Sequence, residues 1–165
     1  MMKRRRFLQL VSGGIGFAAL IPFLGLTKAF ATEMVVKMSL SNEEWKKRLS
    51  AQQYDILREA GTERPFTSAL LDEHRAGEFV CAGCNLPLFL SSAKFESGTG
   101  WPSFFQAIPG HIETSTDYKI GLPRTEYHCA RCGGHHGHVF EDGPKPTGLR
   151  YCNNGAVLKF IPKEG

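Results

Sequence analysis

Cys152 is the only one of the chain's five cysteines that lies outside a C-x-x-C pair, and Arg150 and Tyr151 come directly before it. Alternate side chains on a strand share a face, so Arg150 and Cys152 can project together. A nearby cation favours thiolate over thiol, and the thiolate is the nucleophile. The competing reading of a lone cysteine is a small buried hydrophobe.

The other four cysteines form two turns, Cys81-Ala82-Gly83-Cys84 and Cys129-Ala130-Arg131-Cys132, with 44 residues between Cys84 and Cys129. Both carry glycine near the turn, as a tight metal knuckle requires. Four thiolates in tetrahedral array suit Zn²⁺, and a closed four-coordinate site is structural rather than catalytic. The intervening length exceeds that of a local zinc ribbon, so the site is expected to pin two distant parts of one sheet. Two disulfides, a rubredoxin-like iron centre and a redox C-x-x-C are the competing readings.

Behind the second knuckle runs Gly133-Gly134-His135-His136-Gly137-His138-Val139-Phe140. No carboxylate spacing of a zinc-hydrolase type accompanies these histidines, which argues against a catalytic metal. The spacing instead suits His135 and His138 lining a pocket as neutral donors or acids, with His136 exposed. His74, His111 and His128 stand alone and read as surface or satisfied strand residues. Asp142 falls in a Glu-Asp-Gly-Pro turn, where Asp ordinarily serves the turn itself. The segment from Phe95 to Phe105 sets Trp101, Phe104 and Phe105 among glycines. It reads either as a core corner or as an aromatic wall for a sulfur-bearing group.

Elements that could position these residues are legible on both sides. Ser41 with Glu44, and Ser50 with Gln53, are capping-box patterns that each open a short helix. Trp45 and Leu49 then share one face, as do Tyr54 and Leu57, and Gly61 is the expected stop. From Glu78 onward, short apolar runs alternate with Gly, Pro, Asn and Asp. The runs are 78–80, 86–90, 125–128, 138–140 and 156–161. That spacing predicts a mainly β, mostly antiparallel domain after a helical lead-in.

The chain has 165 residues and a net charge of +4, but the charge is unevenly placed. Residues 1–31 hold Lys3, Arg4, Arg5, Arg6 and Lys28 and no acid, which leaves 15 basic and 16 acidic residues beyond them. The basic balance is therefore no argument for nucleic-acid binding. A basic head, a weakly apolar run from Phe7 to Leu26 and Ala29-Phe30-Ala31 read as an export leader. The run is interrupted by glycines and Pro22, and is short for a membrane anchor. Arg4-Arg5-Arg6-Phe7-Leu8 resembles the twin-arginine signal, whose route carries folded, cofactor-loaded proteins. The expected division is thus a leader over 1–31, engaging the export machinery toward the periplasm, and one domain over 32–165.

Four motifs in order carry a resemblance over about Ser41 to Pro162. They are the first C-x-x-C, Ser-Gly-x-Gly-Trp-Pro-Ser-Phe from Ser97, C-x-x-C-Gly-Gly-His-x-Gly-His-Val-Phe-x-Asp-Gly-Pro from Cys129, and Gly-Leu-Arg-Tyr-Cys-x-Asn from Gly148. Together they closely resemble the B-type methionine sulfoxide reductases, which act on the R epimer of the sulfoxide. The resemblance implies two antiparallel sheets with short N-terminal helices and one structural zinc per chain. It implies Cys152 as nucleophile and Arg150 as its activator. His135, His138 and Asn154 would surround the substrate oxygen, with Asp142 supporting the histidines. Trp101 would cradle the methyl group, with Phe140 beside it. The implied partners are oxidised proteins or peptides and a thioredoxin-like or other thiol reductant. Many relatives carry a second, resolving cysteine where this chain has Thr99, and a leucine where it has His136. The reading from a different class is a non-catalytic zinc or iron binding module with Cys152 buried.

Overall fold

The computed structural model describes residues 34–164, so the leader reading lies outside the described residues. Ser41 caps a first helix, α1 (Asn42–Arg48), with Glu44 reaching back to the cap, and Trp45 is its buried residue. Ser50 and Gln53 repeat the box for α2 (Ala51–Glu59), which buries Ile56 and Leu57. The helix closes one residue before the expected glycine. Ala60 takes the left-handed conformation at φ 52°, and the Gly61 amide donates back to the Asp55 carbonyl.

Two antiparallel sheets follow. The smaller places β1 (Gly77–Cys81) between β2 (Pro87–Leu90) and β9 (Leu158–Pro162). The larger has six strands: β3 (Lys94–Phe95), β4 (Ser103–Phe104), β5 (Ile112–Asp117), β6 (Arg124–Cys129), β7 (His135–Phe140) and β8 (Arg150–Asn153). Its spatial order is β3-β4-β8-β7-β6-β5. A 3₁₀ turn, Gly155–Val157, joins β8 to β9. Rings from the two sheets meet in the core. Phe89 of β2 stacks on Phe104 of β4 at 4.4 Å, and Phe79 of β1 meets the same ring edge-on at 4.8 Å. Burying large rings in such offset and edge contacts is the main apolar gain available to a domain of this size.

The two C-x-x-C turns end β1 and β6, one in each sheet. Each closes by the same main-chain device. The Asn85 amide donates to the Cys81 carbonyl and the Gly133 amide to the Cys129 carbonyl, both at 2.8 Å. Asn85 and Gly133 both have positive φ. The sulfurs interleave, with Cys81 Sγ 3.6 Å from Cys132 Sγ and Cys84 Sγ 3.4 Å from Cys129 Sγ. All four lie within 4.8 Å of one another, and all five cysteines of the chain are free of disulfides. Four thiols at that separation fit a tetrahedral metal and are too far apart for S–S bonds. The cluster clamps two different sheets, not two parts of one. The reason is that β1 belongs to the small sheet and β6 to the large one.

Candidate active site

Cys152 lies in the middle of the larger sheet, opposite His138 on β7 and Ser103 on β4. Opposed residues of an antiparallel ladder project from one face. His138, Cys152 and Ser103 therefore form a row, and Glu126 extends it by pairing with His138. The strands come very close at Gly137, where a Cβ would lie 1.9 Å from the Cys152 carbonyl oxygen. Only glycine tolerates that approach.

The order of the histidines follows from a bulge. His128 pairs with His135 and Tyr127 with Gly137, which leaves His136 as the extra residue. An inserted residue reverses the alternation of faces. His135 and His138, three apart, consequently share a face with ring centroids 5.6 Å apart. His136 turns inward, fully buried and stacked on Tyr127. The expectation that it is exposed is thus overturned, and the bulge is the cause.

Each outward histidine has its own carboxylate. His138 Nε2–H donates to Asp117 Oδ2 at 2.7 Å, and Arg124 binds the same carboxylate. The Lys119 amide, then His138, then Arg124 hold Asp117 well below the usual carboxylate range. His135 Nδ1–H donates to Glu126, which also faces His128. Burial lowers the pKa of His135, with Glu126 opposing.

Arg150 is buried opposite Phe140, its guanidinium 4.4 Å from the ring centroid. It forks onto Asp142, with Nε to Oδ1 and Nη2 to Oδ2 both at 2.8 Å. Arg150 in turn lowers the pKa of Asp142. Asp142 thus braces Arg150 and not the histidines, because it lies just past the end of β7, next to the start of β8. Burial pushes the Cys152 thiol above its ordinary value, and Arg150 and Thr99 offset this only in part. Burial thus works against the thiolate that Arg150 favours.

A cleft of about 200 Å³ opens over Cys152, lined by Trp101, Phe140, His138, Arg124 and Thr62 among others. His135 lies behind His138, in an adjoining hollow of about 270 Å³. Asn154 borders the cleft, but its amide is committed to main chain: Oδ1 accepts from the Glu63 amide and Nδ2 donates to the His136 carbonyl, both at 2.9 Å. That makes it a strut rather than a free donor to a substrate oxygen. A larger hollow of about 730 Å³ at residues 34–39 contains His111, already bonded to the Pro87 carbonyl, and no cysteine.

Residues 49–162, carrying nearly all of this geometry, match the family described as SelR domain. The chain belongs to the SelR family. Over 128 residues it is 56% identical to the peptide methionine sulfoxide reductase MsrB of Bradyrhizobium diazoefficiens, covering 77% of this chain and 92% of that protein. The MsrB of Thiobacillus denitrificans is 55% identical over 125 residues, 75% of this chain and 95% of its own length. That of Leptospira interrogans is 52% identical over 128 residues, 77% and 98% of the two lengths.

In this SelR chain four polar groups around the site escaped the sequence reading. Asp117, Arg124 and Glu126 belong to β5 and β6 and carry no local motif. Glu63 has no local signal at all, yet it ties the cleft together. Its carbonyl accepts from Trp101 Nε1–H at 3.2 Å, and its buried carboxylate accepts from the Gly155 and Ala156 amides. The aromatic wall and the residues just after Cys152 are thereby fixed to one residue, the first through its main chain and the second through its side chain.

Proposed function

We propose that this chain reduces the R epimer of methionine sulfoxide to methionine, with Cys152 as nucleophile. One observation carries the reading: a half-buried thiol directly opposes a carboxylate-braced histidine, His138, beneath a Trp101–Phe140 wall. In the reaction Cys152 sulfur attacks the sulfoxide sulfur, the S–O bond breaks and the oxygen passes to Cys152. Methionine leaves and a cysteine sulfenic acid remains. No net proton is consumed when a thiol is the reactant, since the proton lost by Cys152 is the one the oxygen needs. His138 is placed to carry it, since an imidazole can both accept and donate a proton. The raised pKa of the resting thiol therefore fits a proton transfer within the bound complex. Trp101 and Phe140 hold the methyl end, where sulfur and methyl groups pack well on rings. Arg150 stabilises the developing thiolate, and Asp142 holds Arg150 in place.

The sulfenic acid is returned to thiol by two equivalents of an external thiol, releasing water and a disulfide. Thr99, not a cysteine, stands next to Cys152, and the other four cysteines are gathered in the cluster. Cys81, Cys84, Cys129 and Cys132 would hold one Zn²⁺ per chain, which supplies a structural crosslink between the sheets and no chemistry at Cys152. The leader over residues 1–31 directs the domain to the periplasm, where it acts on oxidised exported proteins.

Cys152→Ser is the test. It should abolish reduction of the separated R epimer and leave metal content unchanged. Retained turnover would end the assignment and favour a metal-binding module. Mass spectrometry after one turnover should find the added oxygen on Cys152, and a bond to another cysteine of the chain would contradict the external-thiol step.

A further inference from the structure

Large apolar side chains lie exposed on both banks of the cleft. On the Trp101 side, Phe66 has φ 61°, a conformation that bulky residues avoid. Its amide donates to the Gly100 carbonyl at 2.7 Å, and its ring lies so close to Gly100 that a Cβ there would meet it at 2.8 Å. Yet Phe66 is 70% exposed, so this strain is not spent on filling the core. Backbone strain that contributes nothing to packing concentrates where function needs a side chain held. On the other bank, the connection from β5 to β6 exposes Tyr118, Ile120 and Leu122 by 66%, 61% and 67%. Lys119 ties this connection to the Ala60 carbonyl at 2.9 Å. Ile120 lines the adjoining hollow, which shares Thr62, Arg124 and His138 with the sulfoxide cleft.

We infer that Phe66 and Ile120 form a rim subsite for the residues on either side of the oxidised methionine in a polypeptide, and that it favours apolar neighbours. The inference rests on the sulfoxide reading above and specifies which sulfoxides the site selects. Continuity decides the occupant. A chain whose methionine side chain enters the cleft must leave across these banks, and the hollow under Ile120 shares three lining residues with the cleft. Methionines come mostly from apolar surroundings, so the segments that carry them match an apolar rim. A free amino acid would leave both banks untouched.

Binding by the full-length Cys152→Ser protein separates the rim from the chemistry. Calorimetry would compare peptides with methionine R-sulfoxide between two leucines and between two glycines. The leucine-flanked peptide should bind about tenfold tighter. Phe66→Gly, which relieves the backbone strain while removing the ring, combined with Ile120→Ser, should cut that preference to below about twofold. It should weaken glycine-flanked binding far less. Equal affinities in the parent, or an equal loss for both peptides, would overturn the rim subsite. A preserved preference with no turnover by the Cys152-intact protein would instead sink the catalytic reading alone.

Discussion

Cys129 closes β6 and Cys152 lies within β8, with only β7 between the two strands. Cys129 ends its strand, enters a turn that bends its main chain back on itself, and meets a second sulfur at 3.4 Å. Cys152 stays on a regular ladder and meets an imidazole, a hydroxyl neighbour and open space. A thiol in the first setting can only be a ligand or one half of a disulfide, because its partners are other sulfurs. In the second it faces a cleft large enough for a small side chain, with a cation and a histidine to manage its charge. Residue type is the same in both; position along the strand divides the tasks.

The widest separation between the two regions is expected in stability. Cys129→Ser should lose the bound metal and lower Tm by about 15 °C, since a structural metal contributes directly to folding. Cys152→Ser should leave Tm within about 2 °C, the usual range for a part-exposed conservative change. Elemental analysis and thermal scans of the two variants, side by side, check this. Similar Tm losses would mean that Cys152 is a packing residue after all.

A smaller effect tests what poises Cys152. Arg150 pulls its pKa down against burial. Removing that cation as Arg150→Met should push the thiol still higher and shrink the thiolate fraction. Alkylation by iodoacetamide at pH 7 should slow about tenfold, with the pH profile moved to the alkaline side. An unchanged rate would remove Arg150 from the chemistry and leave it as a packing partner of Phe140.

What could be read from sequence divides along the same line. The capping boxes at Ser41 and Ser50 and the knuckles at Cys81 and Cys129 are local signals, complete within four residues, and the structure has them where the spacing put them. β5 gave no such signal. It is an edge strand whose Glu113, Thr114, Ser115 and Thr116 are all exposed, so no apolar alternation marks it. β8 is missing from the apolar runs for another reason, as Arg150, Tyr151, Cys152 and Asn153 form a mainly polar string, and only the alternation of Arg150 and Cys152 marks it. The carboxylates under His135 and His138 come from strands that only the register brings alongside. The bulge at His136 is likewise a property of the β6–β7 pair, invisible in either strand alone.

That bulge supplies the subtlest test, on the face of β7 that looks away from the cleft. Neither ring nitrogen of His136 has a hydrogen-bond partner among the described residues, and burial pushes its pKa down to about 3. In the unfolded chain a histidine takes up a proton below about pH 6.5. Between those two values the unfolded state binds the extra proton, so His136 makes stability fall as pH drops from 6.5 toward 3. Below that window both states are protonated and the loss stops growing. His136→Leu keeps the bulk against Tyr127 and removes the titration. It should stabilise the fold at pH 8 by roughly 1 kcal/mol of relieved polar burial, read as a slightly higher Tm. The gain should widen steadily toward pH 4, with turnover at pH 7 unchanged because the ring faces the core. A gain independent of pH would locate the acid sensitivity elsewhere, at the metal thiolates or the Asp117–Arg124 pair. A variant with lost activity would instead mean that the inner and outer faces of β7 are coupled through the bulge.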